Sequence, residues 1–410
     1  MQNSNEGRLL ALEGLRGVAA VAVVIFHGLS MFYPIFLYGA LSGLGLIQNS
    51  RFEDNLYGNP VSVIFSGAFA VAIFFVLSGF VLTVSFFNSG DEKSIMRIAG
   101  KRYLRLMIPA LSSILVTLFI LAIGLDWMKP LVADITGSLW LKNLWQPAEP
   151  SLMNALSQGV WGVFFSSVAE TSYNPVLWTM KFELLGSLLV FAIALLFGKA
   201  KHRWIIYVLL IIATFKTWYL AFIIGMILAD LYAHRKYPFF TESKRYGWLT
   251  LLLIIGIFLG GYPYYVPNGS VYAVLQLPWL YPLENNSLYL SIAAGLILVS
   301  VICLKPLSKF FGSKYISMLG KYSFSIYLVH MAVLFTAGAG VFLWLNPIIG
   351  FHWAAALSIL TSLIILVPAA YLFERYVDSP AIRISSLFSR WLFDESKTTE
   401  KSTKILRKRK

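Results

Sequence analysis

An apolar segment near the start of the chain contains three side chains that could take part in chemistry inside a membrane. Glu13, Arg16 and His27 lie in a run that is otherwise apolar enough to enter a bilayer. Ionisable groups at membrane depth are costly and usually face a protein interior or a water-filled cavity. On a helix, Arg16 and His27 share one face with a rise of about 16 Å between them. The pair predicts either a catalytic site at mid-membrane or a structural arginine beside a buried, hydrogen-bonded histidine.

Two further motifs contain groups that could contact a ligand. Ser78 and Gly79 lie near the predicted cytoplasmic end of a second apolar segment, where they could contact a ligand or form a packing notch between helices. Arg102 and Arg105 follow, three residues apart and on one helix face. Because guanidinium groups bind phosphates bidentately, the arginines are a candidate phosphate site. The basic flank of an ordinary membrane span would have the same sequence.

A carboxylate in a later apolar segment could act together with the histidine. Asn174 and Pro175 form a typical helix start, with asparagine as the N-cap and proline in the first turn. This start places Glu183 about 12 Å into the membrane from the predicted outer side. Lys181 lies on a different helix face, so His27, at a similar predicted depth, is the expected partner of Glu183. A neighbouring carboxylate would orient the imidazole and stabilise its protonated form.

Two other stretches could line a substrate site. Ser323, Tyr327 and His330 share a helix face through their four- and three-residue spacing. This stripe predicts either a polar cavity wall or a hydrogen-bonded seam between helices. Residues 263–287, together with the adjoining Tyr262, are rich in aromatic side chains, which would suit a sugar-stacking surface or the headgroup depth of a membrane. These aromatic residues are Tyr262, Tyr264, Tyr265, Tyr272, Trp279 and Tyr281.

The composition is that of a polytopic membrane protein. The 410 residues are 58% hydrophobic and 13% charged, whereas about a quarter of the residues in a soluble domain are charged. The first residues lack the pattern of a removable signal peptide, and the single cysteine, Cys303, cannot form an intrachain disulfide. Hydropathy predicts an all-α fold with about ten membrane spans. The predicted spans are residues 9–33, 61–87, 106–125, 175–197, 204–216, 217–233, 246–262, 288–304, 322–345 and 352–373.

The distribution of basic residues predicts how these spans are oriented. Segments on one side of the membrane hold 27 of the 33 Lys and Arg residues, whereas the other side holds four. The positive-inside rule then places both termini in the cytoplasm. The predicted divisions are a short leader at 1–8, a ten-helix transmembrane domain at 9–378, and a cytoplasmic amphipathic helix with a basic tail at 379–410, drawn to membrane lipid. The same bias explains the net charge of +14 without a nucleic-acid partner.

Taken in order, these motifs resemble the acyltransferase-3 family of integral membrane acyltransferases. The resemblance covers the arginine and histidine of the first span, the Ser-Gly motif of the second, and the paired arginines after it. It continues through Leu177-Trp178-Thr179 with Glu183, Gly320 to His330, and Glu374 to Pro380. One difference is Glu13, where aspartate is more usual. No soluble esterase-like domain follows the spans, which argues against the two-part members of the family.

The resemblance implies an enzyme that transfers an acyl group, commonly acetyl, from cytoplasmic acyl-CoA to a hydroxyl group. Acceptors in the family are often sugars of cell-surface glycans, although lipids and other small molecules also occur. We therefore expect O-acetylation of a carbohydrate, as in polysaccharide modification, or of another small or lipid-linked acceptor. The expected location is the plasma or inner membrane, and no metal is expected.

The positions of the motif residues, combined with the resemblance, assign a role to each. The imidazole is the expected general base on the acceptor hydroxyl. The catalytic residues expected are His27, Arg16 and Glu183. The residues expected to bind acyl-CoA, through its phosphates or along its pantetheine arm, are Arg102, Arg105, Ser78 and Gly79. Acceptor contacts are expected from Glu13, Trp178, Tyr327 and His330.

Other mechanisms remain open at the level of sequence. Histidine can also act as a nucleophile, so transfer could be direct or pass through an acyl-histidine. His27 and Glu183 would also suit a proton relay in a transporter or exporter, although the chain lacks inverted repeats with matching broken helices. A scaffold or lipid-binding protein without catalysis is a third alternative, against which the Arg16 and His27 pair argues. The sequence does not indicate the number of subunits.

Overall fold

A computed structural model describes residues 2–38, 57–145, 150–166, 173–234 and 246–393, and the regular elements in these ranges are all helical. In chain order the α-helices are α1 (Gln2–Phe32), α2 (Ile35–Tyr38), α3 (Gly67–Ser89), α4 (Glu92–Ala122), α5 (Met128–Thr136), α6 (Leu139–Asn143), α7 (Leu152–Ser157), α8 (Val163–Phe165), α9 (Thr179–Phe197), α10 (Arg203–Thr214), α11 (Tyr219–Ala233), α12 (Tyr246–Gly260), α13 (Pro282–Cys303), α14 (Lys305–Phe311), α15 (Lys314–Val333), α16 (Ala339–Ile349), α17 (Phe351–Phe373) and α18 (Ser379–Phe393). Five-residue π-helical turns join α7 to α8, α15 to α16 and α17 to α18.

A helix lies at each of the ten predicted spans, but the helices differ in length. Among the described residues, seven helices are long and apolar enough to cross a membrane. The other three, α10, α11 and α12, have 12, 15 and 15 residues. At 1.5 Å per residue they reach about 18–22 Å, which is less than the hydrocarbon core of about 30 Å. The chain is therefore an all-helical integral membrane protein, whereas ten spans and cytoplasmic termini stay predictions.

The basic stretch before the third predicted span is helical from Glu92 onward, whereas the sequence analysis placed only its end, at Arg102 and Arg105, on a helix. α3 ends at Gly90, which adopts a left-handed conformation with φ of 69°. The Asp91 carboxylate then accepts a hydrogen bond from the Lys93 backbone N–H and caps the start of α4. A two-residue turn therefore replaces the predicted loop of 18 residues. As a consequence, Arg102 and Arg105 lie on a continuous helix that also enters the apolar region.

α1 and α15 pack closely because glycines lie at their crossing. A Cβ atom on Gly17 would lie 2.5 Å from the Leu319 side chain, and one on Gly320 would lie 2.2 Å from the Glu13 carbonyl oxygen. Neither position can accept a side chain without separating the helices, and small residues are typical of such close crossings in membranes. The crossing sets the register of α1 against α15, which bears on the pairing of the two histidines described below.

We expect Gly320→Ala to destabilise the protein through this crossing. The added methyl group would overlap the Glu13 backbone, and overpacking of this kind costs roughly 1–3 kcal/mol. Gly247→Ala in α12 is the matched control because a Cβ there meets nothing within 4 Å. Thermal unfolding in detergent should show a lower Tm for Gly320→Ala only. Equal Tm values for the two variants would contradict the tight crossing.

The predicted amphipathic helix of the C-terminal region is present as α18, and it continues α17. Its small residues face the protein: Ala381, Ser385 and Ser389 are buried, and the Ser389 hydroxyl donates to the Arg97 carbonyl at 2.7 Å. Its large apolar side chains are exposed, as an interfacial helix requires. These exposed side chains are Ile384, Leu387, Phe388, Trp391 and Leu392. The predicted basic tail from 397 to 410 lies outside the described residues.

Candidate active site

Two cavities adjoin within the helical bundle. One, the arginine cavity, has a volume of about 570 Å³, and the other, the histidine cavity, has a volume of about 450 Å³. Val71 of α3 and Tyr327 of α15 line both cavities, so the two spaces meet at these side chains. The arginine cavity is lined by Glu13, Arg16, Ser78, Arg102, Arg105, Glu183, Lys321, Glu374 and Asp378, among others. Residues lining the histidine cavity include His27, Tyr57, Trp140, Trp178, Trp218, Tyr262 and Tyr264.

The first-span histidine is hydrogen-bonded to a second histidine. Nδ1 of His27 lies 3.0 Å from Nε2 of His330, and His330 is fully buried. Nδ1 of His330 lies 2.7 Å from the Tyr327 carbonyl and 3.2 Å from the Ile326 carbonyl. Because carbonyl oxygens only accept, this Nδ1 carries the proton, and the Nε2 of the neutral ring is an acceptor. His27 therefore donates through Nδ1, and in its neutral ring the lone pair is on Nε2.

An indole ring packs against the His27 imidazole on the wall of the histidine cavity. The two rings are stacked, with centroids 5.9 Å apart and an interplanar angle of 12°. This indole belongs to Trp140 of α6, which the sequence analysis did not single out.

Lys129 of α5 is buried near this segment, and its ammonium donates to the Leu144 carbonyl. Burial lowers the pKa of Lys129 to about 8, as expected for a cation with little access to water.

The predicted contact between Glu183 and His27 is wrong. The Glu183 carboxylate lines the arginine cavity, where Oε1 accepts from the Ser78 hydroxyl at 2.6 Å and from Arg102 at 3.0 Å. Arg102 also donates through Nε to the Ser187 hydroxyl at 3.2 Å. A carboxylate in an apolar region needs a cation or a donor, and here both come from helices α3 and α4. The other oxygen, Oε2, is buried without a described partner.

The remaining arginines of this cavity are also paired with carboxylates. Arg16 lies 2.9 Å from Glu13, and Arg105 lies 2.5 Å from Asp378 with its guanidinium 5.2 Å from the Phe324 ring centroid. Lys321 lies 3.5 Å from Glu374. The four basic and four acidic side chains among the described lining residues therefore cancel in formal charge. The sequence analysis considered the arginines without these partners. In the structure Glu13 lies one helical turn from Arg16, and the other carboxylates come from segments distant in sequence from their basic partners.

Ser78 and Gly79, predicted together as donor contacts, have different surroundings. Ser78 lines the arginine cavity and donates to Glu183. Gly79 is buried against α11, where a Cβ would lie 2.2 Å from the Phe222 carbonyl oxygen. The glycine therefore forms the packing notch that the sequence analysis gave as the alternative, and its role in donor binding stays a prediction.

The predicted acceptor residues are distributed around the junction. Trp178 lines the histidine cavity, and Glu13 lines the arginine cavity. The Tyr327 hydroxyl donates to the Val176 carbonyl at 2.7 Å, which holds its ring between the two cavities. His330 acts on His27 rather than lining either cavity. The polar stripe on α15 is thus partly cavity wall and partly a hydrogen-bonded seam, so both alternatives apply to different residues of the stripe.

Comparison with known proteins shows the family of the chain. A family model described as an acyltransferase domain matches residues 9–371, a range that contains His27, Arg102, Arg105 and His330. The chain belongs to the acyltransferase-3 family. Among curated proteins, acyltransferase clz18 of Cochliobolus lunatus is 23% identical over 455 residues, covering 92% of this chain and 95% of that protein. Acyltransferase R4 of Phoma sp. (strain ATCC 20986 / MF5453) is 24% identical over 447 residues, covering 90% and 93%. No solved structure matches the chain.

Membership of the acyltransferase-3 family confirms that the chain is an acyltransferase, and it does not favour the transporter alternative. The family match ends at residue 371, so the Glu374 to Pro380 motif lies beyond it. That motif nevertheless supplies Asp378 to the arginine cavity. An acidic residue two positions before Pro380 was the available signal for Asp378, whereas nothing in the sequence around Trp140 distinguishes it from other interfacial aromatics.

Proposed function

We propose that this acyltransferase transfers an acyl group, with acetyl as the expected group, from acyl-CoA to the hydroxyl group of an acceptor, with His27 as general base. The observation that carries the proposal is the His27 imidazole at the wall of the histidine cavity, with Nδ1 engaged by His330 at 3.0 Å. The Nε2 lone pair is what a general base requires. The arginine cavity shares Val71 and Tyr327 with the histidine cavity, so a thioester bound there would lie next to this imidazole.

The proposed reaction is a direct acyl transfer. The acceptor oxygen attacks the thioester carbonyl while its proton passes to Nε2 of His27. The C–S bond then breaks, the new ester leaves, and the thiolate of coenzyme A takes up the proton. During this step the hydrogen bond from His27 to His330 becomes charge-assisted, which stabilises the imidazolium. His330 thus orients the base and holds its tautomer, as a carboxylate does in other catalytic groups.

The arginine cavity is the proposed donor site. Arg102 uses Nε and one Nη2 hydrogen bond for Ser187 and Glu183, while a guanidinium has five N–H groups in all. The remaining N–H groups can bind a phosphate oxygen while the carboxylate holds the guanidinium in position. Because the cavity is balanced in charge, we expect these arginines to bind the donor through directed hydrogen bonds rather than through net attraction. The pantetheine arm would pass Ser78 toward Tyr327.

Acetyl-CoA binding and turnover test this proposal. The full chain in lipid nanodiscs should bind radiolabelled acetyl-CoA saturably, with competition by free coenzyme A. It should also release thiol, measured with a thiol reagent, only when an acceptor alcohol is added. Binding without acceptor-dependent thiol release would favour a transporter that uses the histidines as a relay. Absence of saturable binding for acetyl-CoA and for longer acyl-CoAs would contradict the proposal.

A further inference from the structure

The histidine cavity has a wall unlike that of the arginine cavity. No described residue that lines it is an Asp, Glu, Lys or Arg, and His27 is the described lining side chain that can ionise near neutral pH. Most of the lining side chains are aromatic or aliphatic. The aromatic ones are Phe26, Phe36, Tyr57, Phe65, Trp140, Trp178, Phe182, Trp218, Tyr262, Tyr264 and Tyr327. Two cavities that meet at Val71 and Tyr327 thus offer opposite environments, one with eight charged side chains and one with none among the described residues.

Several polar side chains of the histidine cavity are already engaged by the protein, whereas the Tyr262 hydroxyl is buried without a described partner. The Ser62 hydroxyl lies 2.6 Å and 2.9 Å from two backbone carbonyls, and the Tyr57 hydroxyl donates to another at 3.0 Å. Asn286 donates its amide N–H to a backbone carbonyl at 3.1 Å. The Ser66 hydroxyl accepts from the backbone N–H of Phe69 and caps α3. A ligand with many hydroxyl groups would therefore lose hydrogen bonds to water and find few replacements here.

The aromatic rings form a surface suited to a flat apolar ligand. The indole of Trp178 lies 6.2 Å from that of Trp218 and 5.8 Å from the Phe182 ring. Such rings bind other rings and hydrocarbon faces through packing and edge-to-face contacts. A cation could also bind their faces, but none of the described lining residues supplies a carboxylate to pair with it. The surface therefore favours a neutral ligand.

We infer that the acceptor is an uncharged, predominantly apolar alcohol, such as one built on an aromatic or fused-ring skeleton, rather than a sugar or a nucleotide-linked sugar. This inference rests on the proposed function, since it takes the histidine cavity as the acceptor site. Binding pockets for small molecules combine a mainly apolar lining with a few polar groups that fix orientation. In this cavity His27 would fix the single hydroxyl that becomes acylated, and the rings would hold the remainder of the molecule.

A set of matched acceptors tests the inference. The full chain in nanodiscs is supplied with radiolabelled acetyl-CoA and with 2-naphthaleneethanol, the same alcohol bearing a ring carboxylate, or methyl β-glucoside. We expect kcat/KM for 2-naphthaleneethanol to exceed that for each of the other two by at least about ten-fold, the order expected when a polar group of the ligand is buried without a hydrogen-bond partner. Equal or better transfer to the glucoside or to the carboxylated alcohol would overturn the inference, and acetyl-CoA binding would still support the proposed function.

Equilibrium binding of tritiated 2-naphthaleneethanol without a donor gives a readout independent of turnover, with protein-free nanodiscs subtracted. Trp178→Leu should raise the Kd and the acceptor KM by about five-fold or more, since a stacked aromatic ring is lost, with little change in the KM for acetyl-CoA. Trp204→Leu is the control, because Trp204 is 61% exposed on α10 and lines neither cavity. Absence of saturable alcohol binding, or equal effects of the two variants, would contradict an apolar acceptor site.

Discussion

Replacing His27 with alanine should lower kcat for acyl transfer by about 10³-fold, within the range that a general base contributes. The variant loses the Nε2 lone pair that would accept the acceptor proton, while the arginine cavity keeps its lining. The KM for acetyl-CoA should therefore change little. The measurement is single-turnover formation of labelled ester by the full chain in nanodiscs, together with saturable binding of acetyl-CoA.

The control for this variant is His202→Ala. His202 is exposed before α10 and lines neither cavity, so the same chemical change should leave kcat unaltered. Both variants should show the expression and Tm of the parent protein to within a few degrees. Transfer by His27→Ala within a few-fold of the parent rate would remove the imidazole from the reaction. A loss of acetyl-CoA binding equal to the loss of kcat would instead indicate a damaged fold.

The pairing of the two histidines could not be predicted from the sequence, although both residues were. Depth along a helix follows from the 1.5 Å rise, and by depth alone both Glu183 and His330 were available to His27. Which of them contacts the imidazole depends on how the helices are rotated and placed around one another. The close crossing at Gly17 and Gly320 determines that arrangement through packing between segments some 300 residues apart in sequence.

The charge balance of the arginine cavity could not be predicted from the sequence for a similar reason. Arg102 and Arg105 lie in a stretch of sequence with five basic residues, which by itself predicts a cationic surface. Their partners Glu183 and Asp378 come from α9 and from the turn before α18. A stretch of sequence shows only the charges that are adjacent along the chain, whereas the electrostatic field in a cavity depends on the charges that the fold brings together.

Helix positions were the most predictable feature of the fold. A long apolar run can satisfy its backbone hydrogen bonds in a membrane only as a helix, so each predicted span contains one. The ends were less predictable, because they depend on local capping. After the Asp91 cap, α4 begins at Glu92, fourteen residues before the predicted start at 106. The π-helical turn Glu374–Asp378 connects α17 directly to α18. Hydropathy does not detect either feature.

Breaking the Arg102–Glu183 pair should have opposite effects on donor binding according to which partner is replaced. Arg102→Gln removes a guanidinium and leaves the arginine cavity with one excess negative charge, so the KM for acetyl-CoA should rise by about 30- to 100-fold, as expected for a lost hydrogen bond to a charged group with added repulsion of the donor phosphates. Glu183→Gln keeps an acceptor for Ser78 and leaves one excess positive charge. The KM of the Glu183→Gln variant for acetyl-CoA should be equal to or lower than that of the parent protein.

Arg203→Gln is the matched control, because Arg203 forms an ion pair with Asp230 at 2.6 Å and lines neither cavity. Both arginine variants leave a poorly hydrated carboxylate without its cation, which is destabilising, so both should lower Tm. Only Arg102→Gln should raise the donor KM, and adding Glu183→Gln should restore part of it by returning the cavity to neutrality. A higher donor KM in Arg203→Gln, or an equal rise in Glu183→Gln, would assign the Arg102 effect to stability rather than to contact with the donor.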